Sequence, residues 1–136
     1  MGCINSRKTP DDDDPQQISI SYERLMETFE SDKEFVNVLI EEGIKEFTTG
    51  ITTMLELLNK KGFKDLKKLK IHAHSIKGSA SNIECIPMSD MAKSIELIVF
   101  EAKDWDLDKN KTEIRHILDR MNAELDKIKG VYNENL

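Results

Sequence analysis

Hydrophobic residues recur every three or four positions along most of the chain after residue 19, which is the period of an amphipathic α-helix. The longest stretch of this kind follows residues 31–34, whose order Ser-Asp-Lys-Glu resembles a helix-capping box. Lys60, Lys61 and Gly62 provide the corresponding end signal. The pattern predicts a long helix between the two signals, with the apolar stripe Phe35, Leu39, Ile40, Ile44, Phe47, Ile51, Met54 and Leu58.

Four further helices are predicted by the same period. A short one precedes the long helix, and three follow it, over about 64–83, from Pro87 and Ser89 onward, and from near Asp108. The predicted inward positions are, in the short first helix, Tyr22, Leu25, Met26 and Phe29, and in the third helix, Leu66, Leu69, Ala73, Ile76, Ala80 and Ile83. In the fourth helix they are Met88, Met91, Ala92, Ile95, Ile98, Val99 and Ala102, and in the fifth, Ile114, Ile117, Leu118, Met121, Leu125 and Ile128. No alternating run indicates a strand, and the connections are short. We therefore predict an all-α protein, an up-and-down antiparallel four-helix bundle with a short extra N-terminal helix.

The first 17 residues differ from the rest of the chain. They contain two prolines, four consecutive aspartates and one bulky aliphatic residue after the initiator methionine. Such a segment buries too little apolar surface to offset the entropy lost on ordering, so we predict a flexible leader over 1–17. Residues 18–136 are long enough for one compact core, and we predict a single, monomeric bundle domain there.

Charge and cysteine usage narrow the classes of function. A formal net charge of −6 argues against nucleic acid as the main partner, because phosphate backbones are bound mainly by Lys and Arg. The basic stretch at 60–70 is interpreted as a solvated face and helix end. Two cysteines and no apolar run of 18 residues indicate a cytoplasmic protein in a reducing compartment, with no membrane span.

The predicted third helix carries two histidines on different faces. At about 100° of rotation per residue, His72 lies about 200° from His74 and beside the apolar stripe. The pair cannot chelate one metal ion while the segment is helical, so we predict no metal site. Lys77, Gly78 and Ser81 share the face of His74, which is therefore expected to be exposed, polar and open.

Gly78 is unusual because a glycine inside a helix costs about 1 kcal/mol relative to alanine. Close packing would explain it, but its face points away from the core, so clearance for a partner is the better account. An exposed His74 can act as a nucleophile through an unprotonated ring nitrogen, with Lys77 orienting a phosphoryl group. The chain has no Gly-rich phosphate loop, so such a group would come from and go to another protein, and we expect no kinase activity of its own.

The stretch AHSIKGSASNI at 73–83, followed by SDMAKSIE at 89–96, resembles the histidine-containing phosphotransfer (HPt) domain of multistep two-component phosphorelays. The resemblance implies that His74 is the phosphoacceptor, that Lys77 assists and that Gly78 gives clearance. Its implied partners are receiver domains of hybrid histidine kinases and response regulators, which supply Mg²⁺, so the chain needs no cofactor of its own. Glu84 and Cys85 stand where the family usually has Gly and Ala, which affects the expected helix end and docking preference.

The N-terminal residues MGCINS fit the pattern for N-myristoylation at Gly2. One myristoyl chain binds membranes only marginally, so palmitoylation of Cys3 is the expected second signal. The bundle would then be peripheral on the cytoplasmic face of a membrane. The alternative function is a membrane-anchored helical adaptor in which His74 is never phosphorylated. Leu97 and Phe100 fall off the inward stripe of the fourth helix and could join a docking patch.

Overall fold

The computed structural model describes residues 19–136, and the helical period of the sequence is realised there as five α-helices. The helices are α1 (Tyr22–Thr28), α2 (Lys33–Asn59), α3 (Lys70–Asn82), α4 (Ile86–Glu101) and α5 (Leu107–Glu134), with 3₁₀ turns at Leu66–Leu69 and Asp104–Asp106. No strand occurs in this range. The predicted all-α class is confirmed.

Helices α2 to α5 form the bundle, and α1 lies against α2. Glu46 of α2 contacts Ser75 of α3, whereas Gly43, one turn earlier, lies against Ile83 near the end of α3. The two helices are therefore antiparallel, and the short α3–α4 connection reverses the chain again. α5 returns against both α2 and α4, which closes the bundle around one apolar core.

The start of α2 differs from the prediction by one residue. Asp32 is the N-cap, and its carboxylate accepts a hydrogen bond from the Phe35 N–H at 3.0 Å. Ser31 has a φ of +63° and lies outside the helix. Val36 is fully buried in the core. Phe35 is 44% exposed, and its ring contacts the Phe29 ring in an edge-on arrangement with the centroids 5.1 Å apart. The assignment of Phe35 to the inward stripe was therefore wrong.

The start of α3 also differs from the prediction. Residues Leu66–Leu69 form a 3₁₀ turn, with the Lys68 N–H bonded to the Asp65 carbonyl at 3.0 Å, and the α-helix begins only at Lys70. The three-residue spacing of Leu66 and Leu69 suits a 3₁₀ turn as well as an α-helix, and both side chains are buried as predicted.

Two glycines of α2 set how closely α3 approaches. A Cβ added to Gly50 would lie 2.8 Å from Cδ1 of Ile76, and one added to Gly43 would lie 3.3 Å from Cδ1 of Ile83. The two helices can pack at this distance only because side chains are absent at these positions. This contact fixes the position of α3, which carries both histidines of interest.

The α3–α4 turn is where the sequence departs from the expected Gly-Ala pair. Glu84 adopts a φ of +55°, and the Cys85 N–H bonds to the Ala80 carbonyl at 2.8 Å, a Schellman-type helix end. The Glu84 carboxylate pairs with Arg24 at 3.3 Å and accepts a bond from Thr28 at 3.1 Å. The helix therefore ends normally, with a glutamate tied to α1 at the position that glycine usually occupies.

The predicted leader at 1–17, with Gly2 and Cys3, lies outside the described residues. Its boundary with the bundle therefore stays a prediction. Among residues 19–136, no helix combines the length and the apolar character needed to cross a bilayer.

Candidate functional site

His74 projects from the outer side of α3, as the helical rotation predicts. Ala73 and Ile76 on either side of it are fully buried, whereas the His74 side chain is 70% exposed. Its Nδ1 atom lies 3.3 Å from Oε2 of Glu96 on the neighbouring helix α4. The imidazole is thus held at one nitrogen and open to solvent around the rest of the ring.

Lys77 is drawn to the same carboxylate. Its Nζ atom lies 2.9 Å from Oε1 of Glu96, so one oxygen of Glu96 faces each basic side chain. Glu96 itself is largely buried between α3 and α4. His74, Lys77 and Glu96 form a connected network, which we call the His74 network.

The role of Glu96 was not predicted from the sequence, where it appeared only as the last residue of SDMAKSIE. The sequence did contain an indication of such a partner: His74 and Lys77 lie three residues apart on one face of α3, and an acidic residue on a neighbouring helix would be a suitable partner for both. Choosing Glu96 among the acids of α4 requires the rotation of α4 relative to α3, which only the packed structure gives.

The network also sets the protonation of Glu96. Burial alone would raise the pKa of this carboxyl, but hydrogen bonds and charge attraction from Lys77 and His74 outweigh burial, so its pKa lies below the ordinary value. Glu96 is therefore ionised at neutral pH and acts as an acceptor only.

An ionised Glu96 determines which nitrogen of neutral His74 carries the proton. The carboxylate accepts a hydrogen bond from Nδ1–H, which leaves the lone pair on Nε2. Because the side chain is mostly exposed, Nε2 is available to a reagent arriving from solvent. For neutral His74, the contact with Glu96 thus favours the Nδ1–H tautomer, in which Nε2 is the nucleophilic nitrogen.

Gly78 lies one turn along α3 from His74, and the space above it is open. A Cβ added there would meet no atom within 4 Å. The fold of the isolated protein does not require glycine at this position, in contrast to Gly50. Clearance for a partner therefore stays a prediction for this residue.

Ser81 is exposed on the same face but does not join the His74 network. Its hydroxyl donates to the Lys77 carbonyl at 3.0 Å, within its own helix. It contributes a small, locally satisfied surface on the face that also carries Gly78, and its role there stays a prediction.

His72 is half-buried, and its carbonyl lies toward Gly50 on the α2 side of α3. Throughout residues 19–136 no three His, Cys, Asp or Glu side chains are grouped in a way that could hold a metal ion. The two histidines therefore occupy separate environments, and only His74 carries a charged partner.

Two exposed apolar side chains flank the His74 network. Ile71 lies one turn before His74 on α3, and Phe100, which is 85% exposed, lies one turn after Glu96 on α4. Because α3 and α4 are antiparallel, both residues lie on the same side of the network. Phe100 therefore is on the surface as predicted, whereas Leu97 is half-buried.

One of three comparisons with known proteins found a match. The family model of the Hpt domain matches residues 38–130, which include most of α2 and all of the His74 network. No curated protein and no solved structure matches the chain. The family match covers well over half of the sequence, as well as the complete site. The chain belongs to the Hpt domain family.

Proposed function

We propose that His74 accepts a phosphoryl group from the aspartate of one receiver domain and passes it to the aspartate of another. Membership of the Hpt family supports a histidine phosphotransfer role in a phosphorelay. The observation that supports His74 as the acceptor is its exposure together with the hydrogen bond of Nδ1 to Glu96. Hpt domains are phosphotransfer intermediates and not kinases.

In the proposed step, the Nε2 lone pair of His74 attacks the phosphorus of an aspartyl phosphate. The N–P bond forms as the bond between phosphorus and the aspartate oxygen breaks, and the carboxylate leaves with the electron pair. The Nδ1 proton stays on the ring, where Glu96 stabilises the positive charge of the phosphoimidazolium. The reverse step loads the next receiver.

Lys77 is proposed to orient the transferred group. Its ammonium is anchored on Glu96 at 2.9 Å, one turn from His74, so it lies beside the path of an incoming phosphoryl oxygen. The receiver would supply Mg²⁺, which screens the phosphoryl oxygens. The chain needs no cofactor of its own for this chemistry, and we propose that it acts as a monomer.

The test uses the purified chain and a phosphorylated receiver domain with radiolabelled phosphate. We expect label on the protein that is acid-labile and base-stable, as a phosphohistidine is. His74→Gln should abolish it, whereas His72→Gln, the matched control, should leave it unchanged because His72 has no part in the network. Label that persists in His74→Gln would refute the proposed acceptor.

The exposed apolar pair is proposed to anchor the receiver beside His74. Phe100→Ala should raise the receiver concentration needed for half-maximal transfer about tenfold, because a well-placed aromatic contact contributes about 1–2 kcal/mol to an interface. Ile86→Ala is the control, since Ile86 is 63% exposed at the opposite end of α4. Equal effects of the two substitutions would contradict a docking site at Phe100.

The alternative, a helical adaptor with an unphosphorylated His74, predicts a different result. No receiver from the source genome would label the protein, yet partner capture would survive His74→Gln. The hydrogen bond between Nδ1 of His74 and the ionised Glu96 favours phosphotransfer over the adaptor, because an adaptor has no use for a histidine held in one tautomer.

We further propose that the bundle is tethered to the cytoplasmic face of a membrane by myristoyl-Gly2 and palmitoyl-Cys3. The support is the N-terminal sequence MGCINS, which lies outside the described residues. A single myristoyl chain binds with K of about 10⁴ M⁻¹, so firm attachment depends on the second acyl group.

A further inference from the structure

Two connections of the bundle lie at the same end. The Lys111 side chain of α5 donates to the Phe63 carbonyl at 3.1 Å, and the Leu66–Leu69 turn packs against α4. The α2–α3 and α4–α5 connections are thereby held next to each other. This end lies opposite to α1 and the Glu84 turn.

The α2–α3 connection is strongly basic. Residues 60–70 contain six lysines, at 60, 61, 64, 67, 68 and 70, and one acid, Asp65, so the segment carries +5. The net charge of the chain is −6, and its other residues therefore sum to −11. All six lysines are exposed. Positive charge is therefore concentrated on the surface of this connection.

The neighbouring α4–α5 connection adds an aromatic side chain. Trp105 is the single tryptophan of the sequence and is 81% exposed. Tryptophan is usually well buried in soluble domains, and it is enriched at membrane–water interfaces. Residues 101–109 carry four acids and two lysines, so the two connections together have a charge of +3.

We propose that this basic end, residues 60–70 together with Trp105, binds the surface of an anionic lipid bilayer. Lysines attract the anionic leaflet, and an exposed indole partitions into the headgroup region. A receiver is the less suitable occupant, because the one proposed above covers His74 and Phe100 on the outer side of α3 and α4. Lys60, Lys61 and Lys64 lie in the connection before α3, beyond the helices that such a receiver covers. The contact is separate from acylation of the leader and from phosphotransfer.

Trp105 provides a direct reporter for the test. The full chain, produced without acylation, is mixed with phosphatidylcholine vesicles that contain or lack phosphatidylserine, or with inorganic phosphate alone. We expect a blue shift of the Trp105 emission and co-sedimentation only with the anionic vesicles. Both should be lost at about 1 M salt, where the screening length falls to about 3 Å.

Matched charge variants locate the surface. One lysine near an anionic leaflet contributes about 1 kcal/mol, or roughly a fivefold factor, so Lys61→Gln, Lys64→Gln and Lys68→Gln combined should lower partitioning on the order of 100-fold. The control combines Lys33→Gln, Lys93→Gln and Lys129→Gln, exposed lysines away from this end that give the same change in net charge. The control should bind like the wild type.

Three results would overturn the proposal. The first is no shift of Trp105 with anionic vesicles at low salt, and the second is equal binding by the two triple variants. The third is unchanged vesicle binding with slower phosphotransfer in the Lys61, Lys64 and Lys68 variant, which would assign these lysines to the receiver. Vesicle binding requires no phosphoryl donor, so its failure would leave the proposed transfer by His74 intact.

Discussion

Replacing Gly78 by alanine should make the protein more stable and a poorer phosphoryl acceptor. The added Cβ would have no atom within 4 Å, so the folded state meets no steric penalty. Alanine is favoured over glycine inside a helix by about 1 kcal/mol, which corresponds to a rise in Tm of about 3–5 °C in a domain of this size. In a complex, however, the methyl group would stand in the space that a receiver needs above His74.

Gly50 and Gly130 provide the comparison. At Gly50 the new Cβ would lie 2.8 Å from Cδ1 of the fully buried Ile76, so the helices must shift. Overpacking of this kind costs about 1–3 kcal/mol, which exceeds or cancels the gain in helix propensity, and we expect a net loss of about 1 kcal/mol. Gly130 in α5 is as open as Gly78 but remote from His74, so Gly130→Ala should only stabilise.

The assay combines thermal unfolding with single-turnover transfer from a phosphorylated receiver. We expect Gly78→Ala to slow transfer roughly 10- to 100-fold, because a displacement of about 1 Å between reacting groups has effects of this size. Gly130→Ala should gain stability and transfer at the wild-type rate. The reasoning fails if Gly78→Ala is destabilised, or if it transfers as fast as Gly130→Ala.

Further predictions concern Glu96, Cys85 and the leader. Glu96→Ala should slow transfer about tenfold by releasing His74, and Glu96→Gln should restore much of it, since an orienting hydrogen bond contributes about 1–1.5 kcal/mol. The folded-state pKa of Glu96 is lowered, so the wild type should lose stability relative to Glu96→Gln as the pH falls below about 4.3. Urea unfolding of both proteins across this pH range measures the effect, and identical pH profiles would contradict the His74 network. Burial raises the pKa of the Cys85 thiol to about 12, so in a Cys3→Ser chain it should resist thiol reagents at pH 8 until unfolded. The Cys85 thiol of the unfolded chain loses its proton near pH 8.5, so the free energy of unfolding should fall above this pH by at most about 1.4 kcal/mol per pH unit. A free energy of unfolding that stays constant up to about pH 10 would contradict the raised pKa of Cys85. In the native cell, Gly2→Ala should abolish membrane fractionation and Cys3→Ser should reduce it; a wild type found entirely in the soluble fraction would refute acylation.

The sequence predicted the parts of the fold that depend on a repeated pattern. All six inward positions proposed for the third helix are buried, because each is reinforced by neighbours three or four residues away. At the start of α2 the pattern offers two adjacent apolar residues, Phe35 and Val36, and the structure buries Val36, which shares the face of Ile40, Gly43 and Phe47. The buried faces of Gly43 and Gly50 were missed because glycine carries no hydrophobic signal.

The site was predictable to the extent that it lies on one helix. His74, Lys77, Gly78 and Ser81 share a face of α3 because of helical rotation alone, and the structure places them there. Glu96 comes from another helix, so its contact depends on the α3–α4 packing. The basic end could not be predicted from the sequence for the same reason, because Trp105 and residues 60–70 belong to different connections that only the packing of the helices brings together.

The Lys77–Glu96 pair bears on the group-transfer potential of the phosphorylated protein. In the proposed transfer, the pairing of Lys77 with Glu96 at 2.9 Å weakens the attraction of the ammonium for a dianionic phosphoryl group on His74 but leaves it as a hydrogen-bond donor that can orient that group. A strong cation there would stabilise phosphohistidine and turn the protein into a sink for phosphate. We expect the pairing with Glu96 to bring the two directions of the proposed exchange closer in free energy, as an intermediate carrier requires.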